Sequence, residues 1–148
     1  MTDTPVAVDR TGAVVAITLN DPEHRNALTT ASKVALRDAV ADAADDERVR
    51  AVVLAGSARA FCLGQDLGEH AKALAGGPER AFATVREHYT PVVRDLLTMP
   101  KPVIAAVGGT CVGAGLGLAL ACDHRVFATG VKLATAFTGM LDLDAYPA

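Results

Sequence analysis

Residues 49–67 read VRAVVLAGSARAFCLGQDL. The first part is a short, β-branched apolar run with the composition of a buried strand. The second part follows no period. Two bulky apolar residues and a thiol run into a glycine, an amide and an acid: Gly64, Gln65 and Asp66. A polar, glycine-bearing turn directly after a buried strand needs a reason. Residues 102–122, PVIAAVGGTCVGAGLGLALAC, repeat the arrangement. A buried strand is expected over Val103–Val107, and glycines from Gly108 to Gly117 lead into a helix expected over Leu116–Cys122.

Outward from these two turns the chain alternates. PVAVDRTGAVVAITLN predicts two strands joined at Thr11-Gly12. DPEHRNAL is a polar loop. Thr29 or Thr30 caps a helix in which Ala31, Val34, Ala35, Ala39 and Val40 recur at helical spacing through about Asp45. AKALAGGPER reads as a mobile loop punctuated by Gly76-Gly77-Pro78. Glu79–Met99 is helical again with an interruption at Pro91, and MPKPV stops it. DHRVFAT gives a turn and a last short strand. Strands alternating with helices predict an α/β fold with parallel strands.

Composition narrows the function. The chain has 148 residues, which favours one domain, and 51% are apolar, much of that alanine. Net charge is −3 with both signs mixed along the chain, so no basic face invites nucleic acid. Cys62, Cys111 and Cys122 are odd in number and lack CxxC spacing, which points to reduced thiols in a cytoplasmic protein rather than a disulfide framework or zinc site. The N-terminus has no apolar signal core. The glycines inside 102–122 argue against a membrane span. His24, His70, His88 and His124 are never paired at metal spacing, so no metal is expected.

Both unusual turns fall at the C-terminal ends of expected strands, the edge at which parallel α/β sheets bind ligands. Glycine lets a backbone approach a ligand closely, and free N–H groups at a helix start attract negative charge. Two such turns aimed at one oxygen make an oxyanion hole. Two rivals stand beside this reading. GAGLG loosely resembles a dinucleotide-binding loop but follows three strands rather than one. Glycines also serve close helix packing.

With these residues in view, the chain resembles the N-terminal half of the crotonase, or enoyl-CoA hydratase/isomerase, family. The resemblance runs from about Val6 to Gly139 and rests on VAITLNDPEHRNAL, VRAVVLAGSARAFCLGQDL and PKPVIAAVGGTCVGAGLGLALACDHRVFA. It implies a spiral of ββα units that binds acyl-CoA thioesters and needs no cofactor beyond the coenzyme A of the substrate. By position it assigns the oxyanion N–H groups to Gln65, after Gly64, and to Ala114, between Gly113 and Gly115. It places the backbones of Arg25 to Ala27 and of Cys62, Leu63 and Gly64 along the CoA groove, with Asp66 and Gly113 among the binding residues. Asp66 itself reads as holding the loop through backbone hydrogen bonds rather than transferring a proton. It also implies a homotrimer or hexamer.

The chain departs from the family at the two hydratase glutamates. Gly117 and Phe137 stand where they are expected, and Asp142 and Asp144 follow out of register. Isomerisation or hydrolysis is therefore expected over hydration, with a non-catalytic acyl-CoA-binding protein as the alternative. Family members continue beyond this point, so the resemblance implies a single domain over residues 1–148 whose C-terminal part is incomplete. Apolar surface left uncovered there would alter association.

Overall fold

The computed structural model describes residues 4–57 and 59–135. Strands β1 (Val6–Thr11) and β2 (Val14–Leu19) form an antiparallel pair around Gly12, whose φ of +59° makes the tight turn. Strands β3 (Ala51–Gly56), β5 (Val103–Val107) and β7 (His124–Phe127) then add in parallel, giving a five-stranded sheet in the order β1-β2-β3-β5-β7. Alternation along these strands decides which face is covered. Val15 and Ile17 of β2 are buried and pair with the equally buried Val52 and Leu54 of β3. Those two pair onward with Val103 and Ala105 of β5. Two apolar rows thus cross the sheet on one face.

A second, three-stranded parallel sheet contains β4 (Ala60–Cys62), β6 (Thr110–Val112) and β8 (Leu133–Ala134). Each turn of the chain gives its first strand to the large sheet and its second to the small one: β3 then β4, β5 then β6, β7 then β8. This is the spiral of ββα units that the resemblance implies. The sequence reading found the strands of the large sheet but none of β4, β6 and β8, with residues 59–67 taken as a loop. At two or three residues, these strands are too short to show a period.

Helix α1 (Thr30–Asp45) is capped as expected, with the Thr29 hydroxyl accepting from the Ser32 N–H at 3.1 Å. Leu36, Val40 and Ala43 form its buried stripe. At its other end the Lys101 ammonium donates to the carbonyls of Ala43, Ala44 and Asp46 at 2.7–2.8 Å. A cation there satisfies orphan carbonyls and complements the helix dipole.

The segment expected as a mobile loop is helical. Helix α2 (Leu67–Ala75) ends at Gly76, and Gly77 starts helix α3 (Pro78–Thr84) with Pro78 at its first position. The Gly-Gly-Pro punctuation is therefore a helix-to-helix corner. A π-helical turn, Val85–Tyr89, then leads into helix α4 (Thr90–Thr98). Here the Thr90 N–H reaches back to the Val85 carbonyl. Pro91 lacks the N–H that would bond to Glu87, and Arg37 Nη1 donates to that carbonyl at 3.5 Å. Helix α5 (Ala114–Ala121) starts two residues earlier than expected, directly on Gly113.

Candidate active site

The site grows from β4 and the turn behind it. The Leu28 N–H donates to the Gly64 carbonyl at 2.7 Å, and the Asp66 N–H donates to the Leu28 carbonyl at 3.2 Å. Leu28 and Gln65 thereby make an isolated parallel bridge. Asp66 closes the turn as the N-cap of α2, its carboxylate accepting from the Glu69 N–H at 2.8 Å. Held between these ties, Gly64 adopts φ +83°. A Cβ at Gly64 would lie 3.1 Å from both the Ala114 nitrogen and the Val112 carbonyl oxygen.

The second turn meets the first from the other side. Gly113, the N-cap of α5, takes φ +57° and ψ −127°, a combination open to glycine alone. Its N–H donates to the Ala134 carbonyl at 2.9 Å. One residue on, a Cβ at Gly115 would strike the Cys62 carbonyl at 2.5 Å and the Cys62 Cβ at 2.6 Å. The start of α5 therefore rests on the end of β4. Gln65 and Ala114, far apart in sequence, flank this contact. Among the described residues, neither of their N–H groups is taken by a loop, a cap or a side chain.

Behind Gln65 lies a polar cluster that the sequence reading missed. The Tyr89 hydroxyl donates to Gln65 Oε1 at 2.6 Å, and the Lys33 ammonium donates to the same oxygen at 3.2 Å. Lys33 also donates to Thr84 Oγ1 at 2.7 Å and lies 5.6 Å from the centre of the Tyr89 ring. The Thr84 hydroxyl in turn pairs with His88 Nδ1 at 2.9 Å. Lys33 is only 3% exposed, and burial lowers its pKa from the usual lysine value. Burial likewise raises Tyr89, and burial together with the nearby Lys33 charge lowers His88. Lys33, Gln65, Thr84 and His88 line a cleft of about 490 Å³ together with Thr30, Glu69, His70 and Arg80. The available signal was Lys33 itself, a lysine in register with Leu36, Val40 and Ala43 on the buried stripe of α1.

A second cavity, of about 330 Å³, opens beside Arg25 and Arg59 and is lined also by Pro22, Ser57 and Ala60. Its wall is a strained loop, with Arg25 at φ +53° and Asn26 at φ +59°. Asn26 holds the loop to the body of the protein. Its side chain accepts from the Asp21 N–H at 2.8 Å and donates to the Ala60 carbonyl at 2.9 Å. The N–H groups of Arg25 and Ala27 are spent inside the loop, on Pro22 and His24. What Arg25–Ala27 can offer a ligand is the Arg25 side chain and carbonyl oxygens.

The remaining candidates fall as follows. Leu63 is partly exposed, but Cys62 is fully buried and stands behind the turn, with its Sγ accepting from the Gly64 N–H at 3.3 Å. Desolvation pushes the Cys62 thiol up to about 12 and those of Cys111 and Cys122 up to about 11. None is an activated nucleophile. Gly117 is exposed, and a Cβ there would meet nothing within 4 Å. Phe137, Asp142 and Asp144 lie outside the described residues. Among the described residues, no group of three or more His, Cys, Asp or Glu is placed to hold a metal ion. Nor, among them, is any helix long and apolar enough to cross a membrane.

Known proteins resemble this chain in sequence and fold. The enoyl-CoA hydratase/isomerase family pattern matches residues 9–140. The 1,2-epoxyphenylacetyl-CoA isomerase of Escherichia coli is 36% identical over 125 residues, which are 84% of this chain and 48% of that protein. A solved structure of enoyl-CoA hydratase/isomerase type from Mycobacterium abscessus superposes with a TM-score of 0.86 at 47% identity, covering 91% of this chain and 52% of that one. The enoyl-CoA hydratase of Bacillus anthracis gives a TM-score of 0.81 at 33% identity, with coverage of 93% and 53%. The chain spans about half the length of the relatives it matches.

Proposed function

The chain belongs to the enoyl-CoA hydratase/isomerase family, and from that premise we propose that it binds an acyl-CoA thioester and stabilises its enolate. The thioester oxygen sits between the N–H groups of Gln65 and Ala114. The observation that supports this reading is the close approach of the two turns at Gly64 and Ala114, beside which the Gln65 and Ala114 N–H groups are not taken by a loop, a cap or a side chain among the described residues. Loss of one such donor typically removes about 2.7–4 kcal/mol of transition-state stabilisation. Deprotonation next to the thioester carbonyl puts negative charge on that oxygen, and preformed amides meet it without reorganising. The chemistry calls for no cofactor beyond coenzyme A itself.

The two cavities divide the substrate. Arg25 and Arg59 offer cationic side chains to the phosphates of coenzyme A in one. The cleft beside the Gln65 side chain receives the acyl group. The proton-transfer groups differ from those of a hydratase, since Gly117 offers no carboxylate at the start of α5. Isomerisation or hydrolysis fits better than hydration. The same glycine favours, as a second reading, a protein that binds acyl-CoA without turning it over.

Buried, reduced thiols suit a cytoplasmic setting. Val126, Phe127 and Leu133 leave apolar surface at the β7 and β8 edge, which supports assembly with further copies, a trimer or hexamer. Two measurements test the proposal. Calorimetric titration with butyryl-CoA should show saturable binding, and incubation with crotonyl-CoA, followed by enoyl absorbance, separates turnover from binding alone. Absence of binding to any acyl-CoA would refute it.

A further inference from the structure

The cleft beside Gln65 is an unusual place for a plain alkyl chain. Its deepest cation, Lys33, is 3% exposed and donates only to neutral oxygens, those of Gln65 and Thr84. Asp66 and Glu69 act on it only through space and make no ion pair with it. Asp66 caps α2 through the Glu69 N–H, and Glu69 accepts from the N–H and the hydroxyl of Thr30 at 2.7 and 2.8 Å. Lys72 and Arg80 add two more cations to the lining, against Glu69 and Glu87 as its acids. Among the described residues, none of these cations forms an ion pair.

A buried ammonium with no carboxylate in direct contact is expensive, and an alkyl chain packed against it would deepen the desolvation without adding a partner. A carboxylate on the acyl group would supply a direct ion-pair partner. Lys33 also touches the side chain of Gln65, the residue whose backbone N–H is assigned to the thioester oxygen. The distance from thioester carbonyl to ammonium is thus of the order of one glutamine side chain.

We propose that this cleft selects a short acyl group ending in a carboxylate, with Lys33 as its counter-ion and Thr84 beside it. The substrate class is then the mono-CoA thioester of a dicarboxylic acid. The inference rests on the acyl-CoA reading above but can fail separately from it.

The test compares length-matched thioesters on the full chain by calorimetric titration: adipoyl-CoA against hexanoyl-CoA, and succinyl-CoA against butyryl-CoA. The carboxylated member of at least one pair should bind about tenfold tighter or more, as expected for a close charge pair. Lys33→Met, which keeps length and removes charge, should abolish that preference, read as the ratio of affinities within each pair. Equal affinity within both pairs, or a preference that survives in folded Lys33→Met, overturns the inference and leaves acyl-CoA binding standing. Failure of every thioester to bind overturns both. The comparison on the unmodified protein decides the matter even if Lys33→Met does not fold.

Discussion

Tyr89 holds Gln65 from behind, its phenol donating to Gln65 Oε1 at 2.6 Å. The bond links the π-helical turn to the residue whose N–H faces the proposed thioester site. Tyr89→Phe removes the donor but leaves Lys33 on the same oxygen. The expected loss is about 1 kcal/mol in urea unfolding, the ordinary net worth of one hydrogen bond. A loss well above that would mean that the whole cluster fails when one member leaves.

Gly64→Ala tests the close approach of the two turns. The substitution puts a side chain at φ +83° and a Cβ 3.1 Å from the Ala114 nitrogen. Strain of this kind is worth about 1–3 kcal/mol. The protein should fold with lower stability and lose most of its affinity for butyryl-CoA. Gly113→Val should do the same at the other turn. Unchanged affinity in a folded variant would remove these turns from the binding site.

Gly117 makes the opposite case. Its position is open, so Gly117→Glu should be tolerated, and replacing a helix-interior glycine should raise stability by about 0.5–1 kcal/mol. Hydration of crotonyl-CoA by the unmodified chain should be very slow beside a hydratase control, since a general acid/base supplies about 10²–10⁴ in rate. Robust hydration would show that another group activates water, with Asp142 and Asp144 the first to mutate.

The thiols give the protein an alkaline limb. Cys62 holds its proton up to about 12 when folded, against 9.0 ordinarily. Between those values the unfolded chain has released a proton that the folded chain keeps, so stability falls as pH rises through that window. Cys111 and Cys122 act in the same direction up to about 11. Urea midpoints should drop between pH 8 and pH 10.5, and iodoacetamide should label Cys62 only after unfolding. Rapid labelling of the native protein at pH 8 would contradict the burial.

The parts of this architecture that show in the sequence are those that repeat or punctuate. Alternation in Val15, Ile17, Val52 and Leu54, the helical spacing of α1, its Thr29 cap and the two glycine turns all carry local signals, and the turns located the candidate site. The buried stripe of α1, however, runs through Lys33, Leu36, Val40 and Ala43, and the expected Ala31 is exposed. The reading of residues 71–80 as a loop erred because Gly76-Gly77-Pro78 marks a corner between helices as readily as a loop. β4, β6 and β8 exist through pairing with one another, β6 between the other two, which no local pattern announces. The Lys33–Gln65–Tyr89–Thr84 cluster joins three distant segments, and only folding brings them together.

The central claim is that the N–H groups of Gln65 and Ala114 share one thioester oxygen. Amide NMR of the ¹⁵N-labelled protein, titrated with butyryl-CoA, addresses it directly. Both resonances should move downfield and saturate with a single dissociation constant. Saturable binding that leaves both amides in place would contradict the claim.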